Sequence, residues 1–412
     1  MVITFAGADL LHGGTRRAGQ ALAIAGTRIV ALGPEVPTTG PAVDLSGFLL
    51  APGFIDLHTH GGGGFALHTT EPEEILSYAR WVTRTGTTGF LVNVVGVPEG
   101  LPERQLAAAV RAIAIAERGA RPLGIYLEGP FLNPARRGAH HPSWLRPAKR
   151  ALAERLLRLA EGHLRVVTLA PELPGAMGVL ERFVAASVTV ALGHTDASYE
   201  TAREAFARGA RLLTHCFNAM PPLLHRAPGP LGALVECPEA CGELVADGHH
   251  VLPPVMRVLV RALGPERTVV VTDAQPGAGL PPGTTFAFAG LTARVEGDLA
   301  RLADGTIAGS LLTTDRALRN LVELVGVPLE QVVRMLTETP AHVLGLAGRT
   351  GRLAPGYDAD LVVLDADFRV HGTVCRGRIE YASRELAERL AAAGVPNAQG
   401  TEEPASATGS VT

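Results

Sequence analysis

Between residues 54 and 272 the chain repeats one local pattern eight times: an apolar run of strand length, followed in most intervals by helical apolar spacing. The predicted strands are Phe54–His58, Gly89–Val95, Leu123–Glu128, Arg165–Ala170, Val188–Gly193, Arg211–His215, Glu243–Ala246 and Thr268–Thr272. Helical patterns fall between them at Arg104–Arg118, Ala148–Glu161, Ala176–Ala185 and Tyr199–Arg208. Such β-then-α units build a parallel sheet, and eight is the number that closes a TIM-like (β/α)8 barrel. A doubly wound open sheet is the alternative, but no G-x-G-x-x-G follows the first strand.

Outside the repeat the pattern changes. Val2–Phe5, Ala21–Ala25 and Arg28–Leu32 are short β-type runs cut by Gly and Pro, and Asp360–Asp365 and Val370–Tyr381 are of the same kind. The predicted architecture is therefore α/β. A barrel spans 51–344, a small β-sandwich domain is formed from both chain ends (1–50 and 345–385), and 386–412 is a C-terminal helix and disordered tail. At 47% hydrophobic and 19% charged residues, there is ample material for a large core. A net charge of −3 without a basic run argues against nucleic acid as partner. No apolar run has membrane length and the first residues lack a basic leader, so the expectation is a cytoplasmic protein off the membrane. Four scattered cysteines make no disulfide framework. Lys149 is the only lysine, and it sits where a helical run begins, which disfavours Schiff-base chemistry.

A barrel collects its chemistry where its strands end at their C-termini. Here those ends carry His58-Thr59-His60, Glu128-Gly129-Pro130, Gly193-His194-Thr195-Asp196, His215-Cys216-Phe217-Asn218, Asp247-Gly248-His249-His250 and Thr272-Asp273-Ala274. Residues two apart on a strand face the same way, so His58 and His60 can reach one ion, and Gly61 to Gly64 let the backbone turn beside it. A single polar residue at a strand end is most often a cap. At the first, third, fifth, sixth and eighth ends, four histidines (His58, His60, His194, His215) and two carboxylates (Glu128, Asp273) at the same phase of their units are not explained that way. Imidazole and carboxylate suit Zn or Fe, and such an ion brings the pKa of bound water to about 7. Asp273 is the candidate to shuttle a proton, and Glu128 the candidate ligand or bridge between two ions.

The Pro52-to-His60 stretch, the lone Asp273 and the closing Gly356–Leu364 segment resemble the amidohydrolase superfamily. Within it, Leu127–Asn133, Gly138-Ala139-His140, Gly193-His194-Thr195, His215–Met220 and Asp247–His250 are similar to the N-acetylglucosamine-6-phosphate deacetylases. The resemblance runs in consistent order to about residue 381. It implies that Glu128, His194 and His215 are shared metal ligands, and that His58 and His60 are the extra pair of members holding a second ion. One or two divalent ions, Zn or Fe, are thus expected, with two favoured. It further implies Asp273 as acid/base and ligand, and His250 as the group that polarises the acetamide. Ala139, His140, Asn218, Ala219, Arg226, Asp247, Ile307 and Ala308 would contact a sugar phosphate, in a homodimer whose neighbouring loop completes the phosphate site.

The residues agree where they can be tested. A planar guanidinium such as Arg226 grips two phosphate oxygens. Spacing alone leaves open whether His249 or His250 faces the substrate. His68, His141 and His225 read as surface or supporting residues, and His342 as the start of a helix. The expected activity is deacetylation of N-acetylglucosamine 6-phosphate. N-acetylgalactosamine 6-phosphate or a cyclic amide are rival substrates, and a catalytically dead scaffold is the rival without activity. Cyclic-amide hydrolases with two ions often bridge them through a carboxylated lysine; Lys149 is not at a strand end, so Glu128 would have to serve.

Overall fold

The computed structural model describes residues 2–395 apart from 13, 35, 37, 38, 289, 290, 304 and 306. All eight predicted strands are present, as Phe54–Asp56, Thr87–Val95, Arg121–Glu128, Leu164–Leu169, Thr189–Leu192, Leu212–Leu213, Cys241–Val245 and Thr268–Val271. They pair in parallel and in sequence order. The first and last strands meet through side chains and strand ends rather than a ladder. Asp56 accepts from Thr272 Oγ1 at 2.6 Å, Asp273 N donates to the His58 carbonyl at 2.8 Å, and His60 N donates to that of Ala274 at 2.8 Å. Those bonds close the barrel mouth and set the first and eighth strand ends side by side.

The helices follow the expected spacing. Glu103–Ile115 buries Leu106, Ala109 and Ala112, three residues apart, and Arg150–Leu159 turns Ala153 and Leu156 inward while its arginines face out. Tyr199–Ala207 starts where the Ser198 side chain accepts from Thr201 N. Their apolar faces join the strands in one core that includes Val92, Ile125, Val167, Val190, Leu213, Leu244 and Val270.

Both chain ends contribute to a second, eight-stranded sheet, in which Leu361–Leu364 pairs with Leu49–Pro52 and Val2–His12 pairs with Thr15–Ala25. Its own core joins Phe5, Leu10, Leu22 and Ile24 to Leu361, Val363 and Leu386. Helix Arg384–Ala392 packs there, and residues 396–412 of the expected tail lie outside the described residues. Asp358, nearly fully buried, receives Arg121 from the third barrel strand at 3.0 Å and Arg28 from the β domain at 2.9 Å, so one carboxylate ties the two units.

Three features depart from the sequence reading. Thr285–Phe288, Leu291–Glu296, Leu299–Leu302 and Ile307–Ser310 form an antiparallel sheet of four strands beside the eighth barrel strand, with Phe286, Ala293, Val295 and Ala300 as its core. The Gly61–Gly64 run does more than turn the chain: Gly61–Gly62 pairs with Phe65–Ala66, and a Cβ on Gly62 would lie 2.4 Å from the Trp81 ring. Glycine is required there by close approach of an indole rather than by access to an ion. His342, expected at a helix start, sits in the last turn of Glu338–Val343.

Candidate metal centre

The strand ends bring their polar residues to one point. His58, His60 and Asp273 form one group of potential ligand atoms, and Glu128, His194 and His215 form another, with all atoms of a group within 4.8 Å of one another. Glu128 lies between them. Its Oε1 is 2.9 Å from His194 Nε2 and 3.3 Å from His215 Nε2, and its Oε2 is 3.4 Å from His60 Nε2. Asp273 Oδ1 lies 3.1 Å from His60 Nε2 and 3.6 Å from His58 Nε2. A bridging position for Glu128 fits this geometry.

The backbone explains how strand-end side chains come to point over the barrel. His194, His215 and Asp273 all have positive φ, at 49°, 24° and 48°. Left-handed backbone costs a non-glycine residue about 1–3 kcal/mol and persists where the surroundings impose it. Here it turns the chain sharply as each strand ends and carries the side chain inward.

Supporting bonds select the histidine tautomers. His194 Nδ1 donates to the Arg136 carbonyl at 2.9 Å, leaving the Nε2 lone pair to face Glu128 and His215. His58 Nδ1 donates to Glu243 Oε2 at 2.9 Å, so its Nε2 faces Asp273 and Glu128, buried and without a hydrogen-bond partner among the described residues. His194 Nε2 and His215 Nε2 stand 3.1 Å apart. An orphaned buried nitrogen, converging imidazoles and carboxylates between them are the donor set of a divalent cation. Electrostatics agree. Burial opposes charge on His58, but Glu243, Asp273 and Glu128 outweigh it and raise its pKa well above the usual value, the mark of a pocket that demands positive charge. Burial likewise pushes Asp273 up, yet His58 and His60 hold it below the ordinary carboxylate range.

Of the remaining predicted residues, Ala139 and His140 line the same cavity as His60 and Glu128. His140 is buried with Nε2 3.3 Å from Glu128 Oε2, and Ala139 stands exposed at the rim. His250 is half-buried and gives Nδ1–H to Asp247 Oδ2 at 2.5 Å, while His249 is exposed. Of the two, His250 is the one held in place. Asn218 Nδ2 donates to the carbonyls of His215 and Cys216, and the Ala219 carbonyl accepts from Thr195 N. Arg226 is exposed on the loop 222–227 beyond the sixth strand. Ile307 and Ala308 lie in the strand whose Ser310 carbonyl accepts from Gln275 N, two residues after Asp273.

A cavity of about 750 Å³ opens over the centre, walled by His60, Glu128, His140, Trp144, His68 and His141. His68 Nδ1 accepts from Val95 N at 3.2 Å, and burial with His60 and His140 nearby pulls its pKa down to about 4. It is a neutral wall residue, which matches the supporting alternative rather than the surface one. A smaller cavity of about 290 Å³ lies elsewhere, beside Arg267 and Arg334, where Arg334 is already paired with Glu266 and Glu338.

Two buried carboxylates escaped the sequence reading, Asp56 and Glu243. The available signal was an acid inside an otherwise apolar strand run.

The chain is similar to known proteins over most of its length. The family model for the amidohydrolase family matches residues 49–379. An N-acetylgalactosamine-6-phosphate deacetylase from Escherichia coli is 38% identical over 331 residues, which are 80% of this chain and 87% of that one. An N-acetylglucosamine-6-phosphate deacetylase from Bacillus subtilis is 34% identical, over 82% of this chain and 86% of that one. Among solved structures, a mutant N-acetyl-D-glucosamine-6-phosphate deacetylase from Mycobacterium smegmatis, in complex with N-acetyl-D-glucosamine-6-phosphate, superposes with a TM-score of 0.85 at 35% identity. That match covers 93% of this chain and 99% of the other.

Proposed function

Because the chain belongs to the amidohydrolase family, we propose that it removes the acetyl group of N-acetylglucosamine 6-phosphate, yielding glucosamine 6-phosphate and acetate. The observation that carries the reading is the convergence on Glu128 of imidazoles from the first, fifth and sixth strand ends, with Asp273 at the same mouth. We assign one divalent ion, Zn or Fe, to Glu128, His194 and His215, and a second to His58, His60 and Asp273. Bound there, the metal supplies a Lewis acid and lowers the pKa of water.

The side chains divide the rest of the work. Asp273 stays ionised at neutral pH, so it can take a proton from the attacking water and return it to the amine nitrogen as the C–N bond breaks. The water oxygen ends in acetate and the transferred proton on the amino sugar. His250 commits Nδ1–H to a carboxylate that can only accept. Its Nε2 therefore donates to the acetamide oxygen only when the ring is doubly protonated. Burial opposes that state, but the bond to Asp247 favours it and raises the His250 pKa. Arg226 and Asn218, with the Ala219 backbone, hold the phosphate. Ala139, His140, Asp247 and the strand containing Ile307 and Ala308 shape the sugar site.

The 38% identity to a galactosamine relative favours a second reading, in which the 4-epimer is the better substrate. Acetate release from both sugar phosphates by metal-loaded protein decides between them, and silence on both would revive the inactive scaffold. No helix among the described residues is long and apolar enough to cross a membrane, which fits a cytoplasmic place in amino-sugar breakdown. A homodimer whose partner loop reaches the phosphate would explain why Arg226 stands so exposed.

A further inference from the structure

Glu243 stands at the middle of the seventh strand, Cys241–Val245, and is fully buried. Its Oε2 accepts two hydrogen bonds, from His58 Nδ1 at 2.9 Å and from the backbone N–H of His215 at 3.1 Å. Those donors belong to different ligand groups. Its Oε1 is buried without a hydrogen-bond partner among the described residues. A buried carboxylate with one oxygen unsatisfied is expensive, and a leucine would fill the same strand position without that penalty. Nothing in packing accounts for an acid there. The bonds do: the first fixes the His58 tautomer and ring plane, and the second anchors the backbone where His215 adopts positive φ.

We propose that Glu243 is a positioning residue that couples the two ligand groups, so that affinity for both ions depends on a single carboxylate oxygen. This rests on the two-ion reading above. Partners that orient metal-binding histidines are worth about 10–100-fold in metal affinity. Glu243→Leu removes the acceptor, and it is expected to weaken both ions by about that factor and to lower kcat at saturating metal while leaving KM for the sugar phosphate unchanged. Glu243→Gln retains an acceptor oxygen at the same reach and should stay within about threefold of wild type for both ions.

The experiment is chelator competition on the wild-type holoenzyme and each variant, resolving both ions, with kcat and KM alongside. Weakening of one ion alone in Glu243→Leu overturns the coupling, and unchanged affinity overturns positioning altogether. Equal losses in Glu243→Gln would assign the effect to charge rather than reach and also overturn it. Should the leucine variant not fold, Glu243→Asp keeps the charge but shortens the reach by one methylene; it must show the double loss, and wild-type affinity there refutes the inference. A wild-type protein binding one ion would bring down the two-ion reading itself. Two ions in wild type with none weakened in the variants would bring down the role given to Glu243 and leave the two-ion reading standing.

Discussion

Replacing Asp273 by asparagine tests the division of labour at the barrel mouth. The side chains are nearly the same size, and the amide oxygen can still face His60 and His58, 3.1 and 3.6 Å from Asp273 Oδ1. What is lost is an ionised group that can accept a proton. Positioned proton transfer contributes about 10²–10⁴-fold. A loss of about 10³-fold in kcat, equal to ~4 kcal/mol of barrier at 1.36 kcal/mol per decade, is therefore expected. KM should change little, because the phosphate and sugar contacts proposed above lie on other residues. The ion at Glu128, His194 and His215 shares no ligand with Asp273 and should remain, while the ion at His58 and His60 should bind more weakly. Acetate release at saturating metal measures the first quantity, and elemental analysis of dialysed protein the second. A kcat within tenfold of wild type, or an asparagine variant stripped of both ions, would refute the assignment.

Three further outcomes follow from the same geometry. Wild-type protein should hold two ions per chain and His60→Ala one, since His60 belongs to only one of the groups; a wild-type content near one ends the two-ion account. His250 has a raised pKa, so it is protonated below that value and loses its Nε2 proton as pH rises through it. Activity should thus fall on the alkaline side, and Asp247→Asn, which removes the main raising partner and leaves only the more distant charge of Asp273 against burial, should move that limb to lower pH; a fixed limb excludes His250 as the donor. Gly62→Ala should destabilise the fold by about 1–3 kcal/mol, the usual overpacking cost, because its Cβ would meet the Trp81 ring at 2.4 Å. Unfolding in denaturant checks this, and an alanine variant as stable as wild type would mean that the indole moves aside freely.

The histidines and acids that form the two groups could be read from the chain because a parallel barrel imposes a phase. Each strand run ends once, and His58, Glu128, His194, His215 and Asp273 each fall at or just beyond such an end. His68 and His141 could be read only as surface or supporting residues, because a loop residue has no phase to betray which way it faces. Residues 285–310 carry their small sheet after the last barrel strand, where the repeat that organised the rest of the reading has stopped. Asp56 and Glu243 sit inside strands, where the period of two gives the face of a side chain but not its neighbour around the barrel.

What the sequence determined by itself is therefore the repeat, the barrel it closes and the ligand types at its mouth, since these follow from local periodicity and strand order. Only the tertiary structure decided which oxygen meets which nitrogen. Glu243 and His58 are 185 positions apart, and their 2.9 Å bond exists because closing the barrel turns both strands toward one interior. His250 is separated from His249 in the same way, by the bond to Asp247 that holds one ring inward while the other stays exposed. Tautomer, ring plane and charge at the centre are set by those contacts, and contacts across a closed sheet are not written in local order.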